Sequence, residues 1–285
     1  MERLSSAIEK ARREREAAKG KSESNSGKPS VADGASPDNA ANKPGTGLAT
    51  LWQSLPSVKV DAKHLNRNMI LTYQANTAAT PFDVMRTKLL HQMRHNNWRR
   101  VAITSPGANC GKTTLSLNLA FSLARQTDIR VMVLEMDLRS PAMARMLGHN
   151  QKTNFAAALA GVEPAEKHIL RYGDNLAFAT SHSRAPSTAE LLQGLTAAEV
   201  IDNIEARYEP DLMIFDMPPM LVADDTLAFL DQIDCALLIG AAEATTLDEI
   251  GKCKQDIEAR TNVMGVVLNK CRYLASTEEY DSSGY

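Results

Sequence analysis

The sequence predicts an α/β fold, a mostly parallel sheet with helices on both faces, on three observations. Beyond Arg100, short apolar runs (VAIT, VMVLEM, LAFA, LMIFD, CALLI and VMGVVL) alternate with helix-patterned segments, the order in which strands and crossover helices build a parallel sheet. Three of the runs end in acids or open into a glycine-containing turn, as expected of strands whose carboxyl ends line a ligand crevice. With 285 residues, 44% of them hydrophobic and 23% charged, the chain can bury one large core.

In chain order, residues 1–21 are charged and alanine-rich. The narrow stripe Leu4, Ala7, Ile8 and Ala11 reads either as a solvated arm or as a short helix. The stretch KSESNSGKPSVADGASPDNAANKPGTG holds almost no large apolar side chain, so burial cannot offset the entropy of ordering it. Residues 1–48 are therefore expected to be a charged arm and disordered linker, 49–272 a globular domain, and 273–285 a flexible tail. Inside the domain, Thr80-Pro81-Phe82-Asp83 signals a helix start with Thr80 as its cap, and Phe82, Met85, Leu89 and Met93 mark the apolar face.

A net charge of −2 offers no global basic field for nucleic acid, and HQMRHNNWRR over residues 91–100 reads as a solvated helix end. No nucleic-acid partner is expected. No apolar run approaches the roughly 20 residues that span a bilayer, and the N-terminus lacks the apolar stretch of a signal peptide, so a cytoplasmic protein is expected. Cys110, Cys235, Cys253 and Cys271 show neither CxxC spacing nor nearby histidines and read as reduced thiols.

The segment TSPGANCGKTT over residues 104–114 lies between an apolar run and a helical one, the context of a phosphate-binding loop. Backbone N–H groups of Gly107, Ala108, Asn109, Cys110, Gly111 and Thr114 are expected around the phosphates. Lys112 reaches the β/γ oxygens, and Thr113 supplies its hydroxyl to magnesium. Pro106 stands where the pattern has its first glycine and has no N–H to donate, so Gly107 is expected to supply the tight turn. Cys110 reads as a small residue tolerated in the loop or as a thiol activated by the helix N-terminus. Two further runs bring acids to the same edge: VMVLEMDLRSP carries Glu135, Asp137 and Arg139, and LMIFDMPP carries Asp216.

Taken together, these motifs resemble the bacterial tyrosine kinases (BY-kinases) of capsule and exopolysaccharide export. The likeness covers about residues 65–285 and includes PSTAELL at 186–192 and GVVLN at 265–269. It implies a P-loop NTPase fold with ATP and Mg2+ as cofactors, and Lys112, Glu135, Asp137 and Asp216 as catalytic groups. Thr113, Asp137 and Asp216 would hold the metal, Arg139 would join the nucleotide site, and Asn269 would touch adenine or merely close a strand. Glu135 would take the proton of the accepting tyrosine. The family has aspartate there, and the extra methylene alters placement by more than about an ångström, which such chemistry feels.

Of six tyrosines, Tyr273, Tyr280 and Tyr285 fall in the tail, and Tyr280 sits in the acidic setting Glu278-Glu279-Tyr280-Asp281. The resemblance makes these the phosphoacceptors. It also implies an inner-membrane polysaccharide co-polymerase (chain-length regulator) as activator, through which the protein associates with the membrane, self-association as dimer or ring, and a cognate tyrosine phosphatase. The family's ring-forming Glu-x-x-Arg-x-x-Arg pattern falls here on Thr80, Asp83 and Arg86, where two of the three are replaced. Two alternatives stand beside the kinase. One is a switch ATPase of the Min/Par type, although its signature lysine would fall at Gly107. The other is a catalytically weak ATP-binding scaffold for the membrane partner.

Overall fold

The computed structural model describes residues 44–272. The stripe in residues 1–21, most of the expected linker and all three tail tyrosines lie outside the described residues. The domain opens with α1 (Pro44–Ser54), α2 (Ala62–Arg67) and α3 (Thr80–Asn96), which leads into β1 (Arg100–Thr104). The loop after β1 enters α4 (Lys112–Ala124), followed by β2 (Val131–Glu135) and two short helices, α5 (Met143–Leu147) and α6 (Phe155–Leu159). Strands β3 (Ile169–Tyr172) and β4 (Leu176–Ala179) precede α7 (Thr188–Gln193), α8 (Leu195–Tyr208) and β5 (Leu212–Asp216). The chain ends with α9 (Asp225–Phe229), β6 (Cys235–Ala241), α10 (Leu247–Glu258) and β7 (Asn262–Asn269).

The strands form one sheet in the order β3-β4-β2-β5-β1-β6-β7, parallel throughout except where β3 runs antiparallel to β4. The six apolar runs picked out in the sequence are β1, β2, β4, β5, β6 and β7. Strand β3, ILRY, is an addition: four residues with only two apolar in sequence gave no periodic signal. Every residue of β2, β5 and β6 is buried, because helices cover both faces of the sheet. Alternate residues feed two cores. Met132, Leu134 and Phe215 pack with Trp52 and Phe155, while Val131, Val133 and Ile103 pack with Phe121 and Phe178.

Two boundaries differ from the sequence reading. Helix α1 starts at Pro44, inside the expected linker, because Leu48 and Leu51 pack on the core and Trp52 is buried with its Nε1 donating to the Tyr208 carbonyl at 2.7 Å. Thr80 is not a cap. A preceding 3-10 turn, Thr77–Ala79, is capped instead by Asn76, whose Oδ1 accepts from the Ala79 N–H at 2.9 Å. Asp83 leaves its own helix end to accept from Ser122 Oγ at 2.5 Å and from Arg125, with Arg86 bonded to the Ser122 carbonyl at 3.1 Å. Two of the residues matching the ring-forming pattern, Asp83 and Arg86, thus join α3 to Ser122 of α4 and Arg125 just after it.

Beside β4 lies a buried polar cluster in which His149 Nε2 and Thr153 Oγ1 meet Thr180 Oγ1 at 3.2 and 2.8 Å, and the His149 ring packs edge-on to His182. Burial, and then the neighbouring His182, lower the pKa of His149 to about 4. A histidine depressed in the folded state contributes stability above its unfolded pKa of about 6.5 that is lost as acid drives it toward 4. Urea unfolding between pH 7 and pH 4 is expected to lose up to about 3 kcal/mol through this group. His149→Gln should flatten that part of the profile, and an unchanged slope would count against the assignment.

Candidate active site

The loop after β1 is shaped by its own backbone. Asn109 (φ 60°) and Gly111 (φ 94°) take the left-handed conformation, so Gly111, not Gly107, meets the conformational demand. Gly111 also sits against β7: a Cβ there would lie 2.3 Å from Asn269 Nδ2. That same nitrogen donates to the Cys110 carbonyl at 2.9 Å, while the Cys110 thiol turns inward and is buried. Pro106 contributes through its carbonyl, which accepts the Leu221 N–H at 3.0 Å, next to a Met220 N–H to Ser105 carbonyl bond at 2.8 Å. These two bonds stitch the loop to the segment after β5, so the missing N–H of Pro106 leaves no unpaired demand.

Strand order then brings the acids in. β5 lies between β1 and β2, and the Asp216 carbonyl accepts the N–H groups of both Met136 and Asp137, at 3.0 and 3.1 Å. The buried Asp216 carboxylate accepts from Thr113 Oγ1 at 2.7 Å and Ser116 Oγ at 3.1 Å, which ties the end of β5 to the first turn of α4. Burial raises its pKa to about 6, against the pull of Thr113 and the Lys112 ammonium. Asp137 is half-buried and faces the same space. Burial raises its pKa as well, while Lys112 and the Ser140 N–H, 3.1 Å away, pull it down.

Asp137 faces a cavity of about 680 Å³, bordered by Ala108, Asn109, Gly111, Lys112, Thr113 and Thr114 on the loop side; Asp216 is buried off its wall, bonded to Thr113. Asp137 and Arg139 stand on the β2 side. Gly107 and Cys110 are not on the wall, and Asn269 acts on the loop from behind. Lys112 is nearly buried and forms no ion pair among the described residues, so its ammonium is available to an anion. The residues fit a magnesium–nucleotide: an N–H-lined turn at a helix start, a lysine, a hydroxyl, one carboxylate on the cavity wall and a second bonded directly to that hydroxyl.

Glu135 corrects the expectation drawn from its place in the motif. Its Oε1 accepts the N–H groups of Ala142 and Met143 at 2.6 and 2.7 Å, and its Oε2 that of Ser181 at 2.8 Å. The side chain is 1% exposed and does not border the cavity. The carboxylate thereby binds the start of α5 and Ser181 just after β4, and closes the loop that bears Asp137. Burial raises its pKa to about 7 against those three bonds. Three residues of the site were not anticipated. Asp225 is fully buried and accepts from Arg139 Nε at 2.7 Å, and Arg145 and Lys270 border the cavity. The acid pair at 224–225, just past the DMPP run, was the available signal for the first.

A family model described as "ParA: NUBPL iron-transfer P-loop NTPase" matches residues 98–283. Among curated relatives, the chain is 30% identical over 187 residues to EpsB of Ralstonia nicotianae, covering 65% of this chain and 24% of that protein. The chain thus spans about a quarter of the length of the first curated relatives it matches. It is 26% identical over 182 residues to the tyrosine-protein kinase CpsD of Streptococcus pneumoniae, covering 63% of this chain and 79% of CpsD. Among solved structures, the kinase domain of the Escherichia coli tyrosine kinase ETK superposes with a TM-score of 0.63 at 26% identity, covering 71% of this chain and 79% of that one.

Removing the Glu135 carboxylate should orphan three buried amides. Glu135→Ala is expected to cost on the order of 3 kcal/mol in chemical denaturation. Glu135→Gln, which keeps an acceptor at the start of α5, should cost distinctly less. Equal losses would show that the amides do not depend on that oxygen.

Proposed function

We propose, starting from a chain that belongs to the ParA and NUBPL family of P-loop NTPases, that it is an ATP-dependent protein-tyrosine autokinase. The observation that supports this best is the meeting of Lys112, Thr113 and Asp137 on one cavity wall, with the buried Asp216 carboxylate bonded to Thr113 at 2.7 Å and Lys270, three residues before Tyr273, also bordering the cavity. In this reading the loop amides and Lys112 bind the β- and γ-phosphates, and Thr113 and Asp216 hold magnesium, which leaves the Asp137 carboxylate free for the acceptor. Bound magnesium would neutralise charge on the phosphate oxygens.

Asp137 is the carboxylate that faces the acceptor. The tyrosine oxygen forms its bond to the γ-phosphorus as the bond to the β-phosphate oxygen breaks, its proton passes to Asp137, and ADP leaves. Burial favours proton uptake by Asp137. Glu135 serves by holding the loop that carries Asp137 and Arg139. Asn269 fixes Gly111 and Cys110 from β7, and in this reading it would also touch the adenine. Tyr273, Tyr280 and Tyr285 are the proposed acceptors.

The setting proposed for this activity is exopolysaccharide or capsule synthesis, with a membrane polysaccharide co-polymerase as activating partner. Among the described residues no helix is long and apolar enough to cross a membrane, so membrane attachment in this proposal runs through that partner. Incubating the full chain with γ-labelled ATP and magnesium should label the protein. Lys112→Met should lower labelling about a hundredfold or more, and truncation after Arg272 should abolish it while nucleotide still binds. Phosphate release without labelled protein would overturn the kinase in favour of a switch ATPase.

A further inference from the structure

Among the cations on the cavity wall, Arg145 and Lys270 have no task in the proposed reaction, and Lys270 follows β7, at the Asn269 end of the crevice. Arg139 is held by Asp225 at 2.7 Å and Asp224 at 3.4 Å, and Lys112 sits at the phosphate loop among the carboxylates. The guanidinium of Arg145 is exposed, borders the cavity and pairs with no acid among the described residues. Its backbone is fixed: the Arg145 carbonyl meets His64 Nε2 at 2.8 Å, and both Met143 and Ala142 are anchored on Glu135.

Sheet order gives this cation a direction. The crevice runs from β7 through β6 and β1 to β5 and β2, with Asn269 at the β7 end, the phosphate loop on β1, and Asp216 and Asp137 on β5 and β2. Arg145, on the helix that follows β2, therefore borders the cavity from the β2 side, the side that carries Asp137 and lies away from Asn269. The same stretch of wall is apolar, formed by Met146, Pro219, Val222 and Ala223, with Val222 66% exposed. An apolar shelf, a carboxylate and a guanidinium with no acid partner among the described residues, all on one cavity wall, offer partners for a phenol ring, its hydroxyl and a flanking acid.

We propose that Arg145 and this shelf form the acceptor subsite, and that its ligand is a tyrosine flanked by acids, the segment Glu278-Glu279-Tyr280-Asp281 of this chain. The inference rests on the kinase reading for the identity of the reaction but names a recognition that can be measured without it. Arg145 selects the acceptor by charge and takes no part in binding ATP. Tyr280, with acids on both sides, is preferred over Tyr273 and Tyr285, which have none adjacent.

The test has two arms on the full chain. In the first, wild-type protein labels Lys112→Met protein supplied as acceptor. Neutralising the acceptor's acids (Glu278→Gln, Glu279→Gln, Asp281→Asn) should raise the KM for acceptor about fivefold with the KM for ATP unchanged. Arg145→Ala in the labelling chain should do the same, should no longer distinguish the two acceptors, and should be partly rescued by Arg145→Lys. Equal use of both acceptors by the wild type, or a loss carried by the KM for ATP, overturns the proposal. In the second arm, a fluorescent peptide of residues 276–285 is titrated with the magnesium–ADP-loaded chain. Charge-dependent binding that Arg145→Ala abolishes supports the subsite even if no phosphate is transferred, in which case the kinase reading alone fails. Binding indifferent to Arg145 overturns it.

Discussion

The site depends on a buried carboxylate at the end of β5. Asp216 accepts from Thr113 and Ser116 on α4 through its side chain, and from Met136 and Asp137 through its carbonyl. One residue therefore fixes the helix that begins the phosphate loop and the strand end that carries the second acid. Burying such a charge is costly unless it is bonded, and the bonds that offset the cost are the ones that bring three separated stretches of sequence into register. Placing β5 between β1 and β2 is what makes this possible, since no neighbouring pair of strands could supply the lysine and both carboxylates.

The same logic runs outward. Asn269 and the Pro106 carbonyl hold the loop from the β7 side and from the segment after β5, and Glu135 holds the β2 side by taking three amide bonds. Pro106 fits the loop because it bonds through its carbonyl, while the left-handed conformations fall on Asn109 and Gly111. The substitution of glutamate for the family's aspartate is likewise accommodated: the longer side chain finds amides at the start of α5 instead of reaching into the cavity. Asp137, two residues on, is the acid of this motif that keeps contact with the open space.

Much of this was legible in the sequence, for physical reasons that also mark the limits. Buried parallel strands read as continuous apolar runs, so six of the seven strands and their strand-end acids stood out, and the GKT turn before a helical run located the loop. What escaped detection depended on partners distant in sequence. Thr80 has the chemistry of a cap, but Asn76 occupies that role. Asp83 matched a first-turn acid, but Arg125 and Ser122 bind it. Gly107 was the available turn residue by pattern, yet Gly111 is the one pressed against Asn269, 158 positions away in sequence. The direction of the Glu135 side chain was invisible for the same reason, because the amides of Ala142, Met143 and Ser181 that claim it belong to no motif.

The central claim is that this loop, without its first glycine, binds magnesium–nucleotide through Lys112, Thr113 and Asp216. Isothermal titration of the full chain with ATP in the presence and absence of magnesium tests it most directly. Saturable, magnesium-dependent binding that is lost in Lys112→Met and little changed in Pro106→Gly is the predicted result. Wild-type protein that binds only after Pro106→Gly, or that binds equally well with Lys112→Met, would contradict it.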